Sequence, residues 1–359
     1  MNKSNSDSLA QRSPWMRPWP KENIEDVAFC PVCDSFDRSI LFFDVIDNTF
    51  FTAAGRWTLF KCSSCGTSYL NPRPTSDSIV KAYEAYYTHK DGEGQRDSAK
   101  LSLLRRLRRM FANGYVNQRF GTTRFPAIKI HSWVANLLPT KSVMDSQFRY
   151  LPKPIQGQRL LDIGCGNGDF LINAKEMGWK ASGLEPDTTA VEVARGRGFD
   201  VFDGTIDALA DRFNYYDAIT ISHVIEHVYQ PRDFLRTVNQ ILKNNGVIYI
   251  DTPNIQSYGA KIFGKYWRGI ESPRHLTLFN PSSLKNLLLS CGFHDIVFLR
   301  RTDVQRGMYL SSKKISELGL PIQTKKPYPE IWGKYLMNYP FIKTEHLEFI
   351  TLIARKKTP

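Results

Sequence analysis

The strongest constraint on how this chain folds is the stretch from Leu160 to Leu171, L-L-D-I-G-C-G-N-G-D-F-L. A short apolar run ends in a glycine turn, and a helix-forming segment opens directly after it. Glycines at Gly164, Gly166 and Gly168 let backbone N–H groups approach a ligand that side chains would block. About 20 residues on, G-L-E-P-D places Glu185 and Pro186 where the second strand of an α/β unit would end. A strand, a glycine turn, a helix and a strand-terminal acid together form a cradle for a ribose-containing cofactor.

A glycine turn with a later acid also describes dinucleotide enzymes. Here the glycines fall as G-x-G-x-G and not G-x-G-x-x-G. Asp162, two residues before the first glycine, suits a ligand whose nearby end carries an ammonium group and would repel a pyrophosphate. Both features favour S-adenosylmethionine over a dinucleotide, and the number of separate elements that agree weighs against a plain glycine-rich turn in a structural domain. The chain resembles the class I S-adenosylmethionine-dependent methyltransferases from about Leu160 to Lys356. The resemblance implies that Glu185 holds the ribose hydroxyls and that Asp203, Gly204 and Thr205 line the adenine. The expected cofactor set is therefore Asp162, Gly164, Cys165, Gly166, Gly168, Glu185, Pro186, Asp203, Gly204, Thr205 and His223.

The remaining pattern fits a Rossmann-like, doubly wound α/β sheet of seven strands. Strands are expected at 160–163, 180–184, 199–202, 217–221, 247–250, 296–299 and 348–354. Helices are expected at 170–177, 188–197 and 233–243, and from a cap at Ser282 to Cys291. Residues 301–344 read as an insertion before the last strand.

Four of the six cysteines form two C-x-x-C pairs, Cys30 with Cys33 and Cys62 with Cys65, separated by 28 residues containing two apolar, β-rich runs. Each pair presents two thiolates from a tight knuckle, as tetrahedral zinc requires. A zinc ribbon is expected, and four sulfur ligands leave no open coordination position, so the metal's role is structural. Two disulfides or a redox pair are the competing readings. Cys291 reads as a core residue.

After the second knuckle comes N-P-R-P at Asn71 to Pro74, then a tyrosine-rich helix expected over 79–87. Later the chain carries H-V-I-E-H-V at His223 to Val228 and P-R-H-L-T-L-F at Pro273 to Phe279. This combination resembles a bacterial methyltransferase group that acts on sugars and cell-surface glycans. The resemblance implies a carbohydrate acceptor: a sugar, a nucleotide sugar, or a lipid-linked or surface glycan. Methyl transfer to a hydroxyl or amine must also remove a proton, and His275 is the first candidate base, with His223 second. Arg274 is a candidate for an acceptor phosphate. The segment also resembles ubiquinone-pathway O-methyltransferases, which carry E-x-x-E-H here and bind a divalent cation; this chain has His223 in place of the first glutamate. A small-molecule O-methyltransferase of that type is one alternative function, with His223, Glu226 and His227 as the cation ligands.

The formal net charge is +13, which predicts affinity for something anionic. An RNA methyltransferase is the other alternative, but the fourth strand ends in I-S-H-V and lacks the N-P-P-Y clamp that stacks a flipped base, so nucleic acid is not the favoured partner. Within 101–111, Leu103, Leu104, Leu107, Met110 and Phe111 share an arc of about 120° on a helical wheel, opposite Arg105, Arg106, Arg108 and Arg109. Such a helix either lies on an anionic membrane face or packs its apolar stripe inward and leaves its arginines in water. Further helices are expected over 128–138 and 141–150. No apolar run reaches the roughly 18 residues that span a bilayer, and the first 20 residues lack a secretory core. The expected location is cytoplasmic, with peripheral attachment at the inner membrane face as an option. The expected organisation is a flexible 1–24, a zinc-ribbon module over 25–90, a basic helical region over 91–157, and a methyltransferase domain over 158–359.

Overall fold

The computed structural model of the protein describes residues 17–83, 103–128, 141–317 and 342–358. The first strands are β1 (Ile24–Glu25), β2 (Arg38–Val45), β3 (Trp57–Cys62), β4 (Ser68–Leu70) and β5 (Arg73–Pro74). Helices α1 (Leu103–Phe120) and α2 (Lys141–Gln147) follow. Next come β6 (Arg159–Ile163), α3 (Asp169–Met177), β7 (Lys180–Glu185), α4 (Thr188–Gly196), β8 (Asp200–Asp203) and β9 (Tyr216–Ser222). The chain continues through α5 (Pro231–Ile241), β10 (Leu242–Pro253), α6 (Tyr258–Phe263) and β11 (Thr277–Leu278). It ends with α7 (Pro281–Ser290), β12 (Phe293–Phe298), α8 (Gln305–Glu317) and β13 (Phe349–Lys356). The expected helix over 128–138, except for Ile128, and the tyrosines Tyr86 and Tyr87 lie outside the described residues.

Seven strands form one sheet in the order β12-β13-β10-β9-β6-β7-β8, the Rossmann-like α/β architecture expected from the alternation of elements. Strand β6 runs parallel to β7 and β9, with Ile163 level with Leu184 and with Ile221. That register brings the carboxyl ends of three strands to one height, where open α/β sheets bind ligands. Helix α3 starts from Gly168, whose φ of 86° is left-handed and whose missing Cβ would lie 3.3 Å from that of Ala194. Helix α7 departs from expectation at its start: its cap is Asn280, in a reciprocal capping box with Ser283, with Pro281 in the first turn. Ser282 sits inside the helix because Pro281 already fixes a helical φ.

Contacts divide the chain into two compact units: one of residues 1–86, 223–236 and 251–352, the other of residues 87–222, 237–250 and 353–359. The first unit joins stretches that are far apart in the sequence. The physical reason lies in the first unit, where β11 pairs antiparallel with β4, Thr277 opposite Tyr69, so the small sheet runs β11-β4-β3-β2. Trp57, Leu59 and Leu70 share one core with Phe263, Trp267, Leu276 and Leu278. Burying each such side chain stabilises by about 1.5–3 kcal/mol.

The second unit has its own core. Tyr115, Val116 and Phe120 of α1 pack with Phe148, Leu160, Phe170, Trp179 and Tyr249. The first half of α1 behaves differently: Leu103, Leu107 and Phe111 are all exposed. At about 100° per residue this stripe lies on the opposite side of the helix from Val116 and Phe120, while Tyr115 follows Phe111 one turn on.

Candidate active site and cysteine cluster

In the second unit the glycine turn and Glu185 come together. Glu185 accepts the Gly166 N–H at 2.8 Å and the Asp187 N–H at 3.1 Å. Burial holds its carboxyl above the ordinary range despite these donors. A carboxylate has about four acceptor sites, so two remain for ribose hydroxyls. A Cβ at Gly166 would meet nothing within 4 Å, which leaves open space beside the acid. Pro186 follows Glu185 on the surface. The Gly204 N–H donates to the Glu185 carbonyl at 3.0 Å, and Asp203 and Thr205 flank it, exposed. These groups fit the ribose and adenine of the cofactor.

Two members of the expected set face inward. Cys165 fills the space above Gly183, where a Cβ would lie 2.4 Å from its sulfur, so only its backbone belongs to the turn. Asp162, expected to meet an ammonium group, has no exposed surface. Its carboxylate is engaged by Arg149 and by the Thr220 hydroxyl at 2.9 Å. The strand pleat points it into the interior beside a partner that no sequence pattern announced.

The polar cluster of the first unit is built on the segments after β9 and β10. His223 has a left-handed φ of 57°, and its N–H donates to the Asp251 carbonyl at 2.9 Å. Its ring lies between two fully buried carboxylates, 3.4 Å from Glu226 and 3.3 Å from Asp251, with 44% of the side chain exposed. Burial disfavours the charged ring, but the bond to Glu226 and the charge of Asp251 outweigh it and raise its pKa. Asp251 also accepts from Thr351 at 2.5 Å and pairs with Arg301. Glu226 accepts from Thr252 at 2.8 Å. Burial opposes its ionisation, yet His223, His227 and His275 push it down to about 2.

His275 is placed differently from the expectation. It is only 5% exposed, its Nδ1 lies 2.8 Å from the Gly269 carbonyl, and burial pushes its pKa down to about 4. A carbonyl can only accept, so Nδ1 carries the proton and Nε2 a lone pair. His227 has its Nδ1 3.0 Å from both the Tyr83 hydroxyl and the Arg274 carbonyl. Ligand atoms of Glu226, His227 and His275 lie within 4.8 Å of one another. Two imidazoles and a carboxylate suit a borderline first-row cation better than magnesium, and His223 is not in that set. Arg274 is no acceptor site: it is fully buried, donating to Asp47 at 3.1 Å, Thr52 at 2.7 Å and the Ala82 carbonyl at 2.9 Å.

The four knuckle cysteines, also in the first unit, converge. Cys30 and Cys65 sulfurs are 3.7 Å apart, Cys33 and Cys62 sulfurs 3.5 Å, and all four lie within 4.8 Å. Tetrahedral ligands with bonds of about 2.3 Å lie about 3.8 Å apart, so the spacing fits a four-sulfur metal site. Backbone turns set the sulfurs: Asp34 N–H donates to the Cys30 carbonyl and Gly66 N–H to the Cys62 carbonyl, each at 3.0 Å.

Residues 140–296 match the family model described as a methyltransferase domain. Curated relatives include a ubiquinone biosynthesis O-methyltransferase of Methylocella silvestris, 30% identical over 148 residues, which are 36% of this chain and 58% of that protein. Another, of the same description, from Chelativorans sp., is 32% identical over 152 residues, 39% of this chain and 60% of that protein. The chain thus spans about three-fifths of the length of these relatives. Among solved structures, a SAM-dependent methyltransferase from Archaeoglobus fulgidus aligns at 23% identity and a TM-score of 0.42, covering 60% of this chain and 92% of that one.

Proposed function

We propose, from the class I S-adenosylmethionine-dependent methyltransferase domain that this chain carries, that it transfers a methyl group to a carbohydrate acceptor. The observation that carries methyl transfer is Glu185, fixed by Gly166 and Asp187 with space open at the glycine turn. Bound there, S-adenosylmethionine supplies an electrophilic methyl group. The chain's own residues hold the ribose at Glu185, flank the adenine with Asp203, Gly204 and Thr205, and receive the acceptor proton. His223 is the base in this reading, because it is half-exposed and oriented by Glu226 and Asp251. His275, neutral and buried, orders the cluster around it. Zinc is the metal that best fits the four-sulfur site, in a structural role.

The carbohydrate reading rests on the H-V-I-E-H-V and P-R-H-L segments and on their resemblance to glycan-directed enzymes. The exposed Leu103, Leu107 and Phe111 beside Arg106, Arg108 and Arg109 support a lipid-linked acceptor met at an anionic bilayer face. Similarity to relatives described as ubiquinone biosynthesis O-methyltransferases supports a second reading, a small-molecule O-methyltransferase of the ubiquinone-pathway type. Mass spectrometry of surface glycans and of quinones, from cells with and without the gene, separates the two. Loss of a methyl group from one sugar supports the first reading, and loss from a quinone precursor the second.

A further inference from the structure

We infer that Arg268 binds an anionic group of the acceptor, a phosphate or a carboxylate, beside the histidine cluster; this rests on the carbohydrate reading above and adds a charge to the sugar. The guanidinium donates from Nη1 to Glu271 at 2.5 Å. The same oxygen of Glu271 lies 3.8 Å from His275 Nε2, which ties Arg268 to the cluster. Among the described residues Nε and Nη2 make no hydrogen bond. Those two nitrogens form a planar fork that matches a pair of phosphate or carboxylate oxygens. The side chain is 26% exposed and that of Glu271 only 6%, so a ligand arriving from solvent meets the arginine and not the acid.

The guanidinium is held in place from several sides. Its own N–H donates to the Ser312 hydroxyl of α8 at 2.9 Å, and the Ile270 N–H closes a turn onto the Trp267 carbonyl at 3.1 Å. Trp267 is fully buried, and a Cβ at Gly269 would lie 2.3 Å from its ring, so Arg268 is the residue of this turn that reaches solvent. The Phe50 ring centroid lies 5.2 Å from the Arg268 guanidinium and 4.9 Å from that of Arg274. Phe50 is presented by a loop in which Asp47 accepts the Phe50 N–H at 3.0 Å and the Ala53 N–H at 2.9 Å. Arg274 anchors that loop through Asp47, so a buried arginine builds the platform on which a half-buried one rests.

Arg301, the other half-buried arginine of the cluster, is engaged by Asp251 and Asp303. Arg268 has one carboxylate partner, at the buried end of its guanidinium. A stacked and anchored guanidinium gives up little further freedom when it grips a second oxyanion. Neutral sugar hydroxyls do not call for a charged fork, whereas a sugar linked through phosphate, or one oxidised to a uronic acid, matches it in both charge and shape. Arg268 is in this arrangement a binding residue that selects charged acceptors over neutral ones.

Ligand-observed NMR titrations of the full chain with inorganic pyrophosphate, glucuronate and glucose test this. Wild type is expected to bind one of the two anions at least about tenfold more tightly than glucose. Arg268→Met is expected to weaken that anion about 10–100-fold while S-adenosylhomocysteine affinity, which reports folding, stays within about twofold. Arg268→Lys should fall between them, and Phe50→Leu, which keeps the guanidinium and removes its platform, should lose about two- to fivefold; these two serve if the methionine variant fails to fold. The anion that depends on Arg268 tells a phosphate-bearing acceptor from a uronic acid. Unchanged binding of both anions in Arg268→Met, or no preference of wild type for either over glucose, would overturn the inference. So would an equal loss in Arg306→Met, an exposed arginine of α8, because the overall positive charge would then account for the binding. Surface glycans without a methyl difference would instead overturn the carbohydrate reading and leave the anion site of Arg268 standing.

Discussion

Glu348 is buried among three donors, Trp267 Nε1 at 2.6 Å, Gly259 N–H at 2.9 Å and the Ser257 hydroxyl at 3.4 Å, yet burial pushes its carboxyl up to about 7 from an ordinary 4.5. Between those values the folded chain keeps a proton that the unfolded chain has lost, so stability falls as pH rises through the window, by about 3 kcal/mol in all. Melting temperature is expected to drop from pH 5 to pH 8 in wild type and to change little in Glu348→Gln. Parallel curves for the two proteins would rule the effect out. His223 gives a second residue-level outcome. Its raised pKa keeps the ring charged at lower pH, so the pH profile of kcat/KM should have an ascending limb centred above the ordinary histidine value. His223→Asn should lose that limb and His275→Asn should keep it. The histidines were legible from their motifs. Their surroundings were not, because Asp251 reaches the His223 ring from the next strand, whereas His275 is buried against the Gly269 carbonyl of its own loop.

Elements with strong periodicity were readable: α3, α4, α5 and α7 follow apolar spacing between glycine or capping signals. Strand β11 was not, since two residues, Thr277 and Leu278, carry no period and pair with residues about 200 positions away. Helix α8 lies in a stretch that reads as an insertion, although Met308 and Ile315, seven positions apart, share a face. For α1 the wheel left two outcomes open. The exposed stripe favours binding to anionic bilayers, where each nearby arginine contributes about 1 kcal/mol. Wild type is expected to co-sediment with phosphatidylglycerol vesicles and not with phosphatidylcholine vesicles. The double substitution Leu107→Ser and Phe111→Ser should weaken that binding about tenfold or more. Equal sedimentation of both proteins would show that the stripe serves something else.

At the scale of the molecule, the four-sulfur site and the glycine turn belong to different compact units. Chelation, or Cys62→Ser, is expected to release one metal ion per chain by elemental analysis and to lower the melting temperature, while S-adenosylhomocysteine affinity stays within a fewfold. Loss of cofactor binding in step with the metal would contradict that separation. Among the described residues no helix is long and apolar enough to cross a membrane.

The pairing of β11 with β4 constrains any attempt to recombine this protein with a relative. Residues 271–280 are buried throughout, and their strand closes on a ribbon encoded some two hundred residues earlier. A graft that exchanges the first 86 residues alone would present a foreign edge to Thr277 and Leu278, and one that exchanges only 251–352 would strand the native ribbon. The two stretches are one inheritable block interrupted by the cofactor fold. A hybrid that keeps the pairing of β11 with β4 has to carry both.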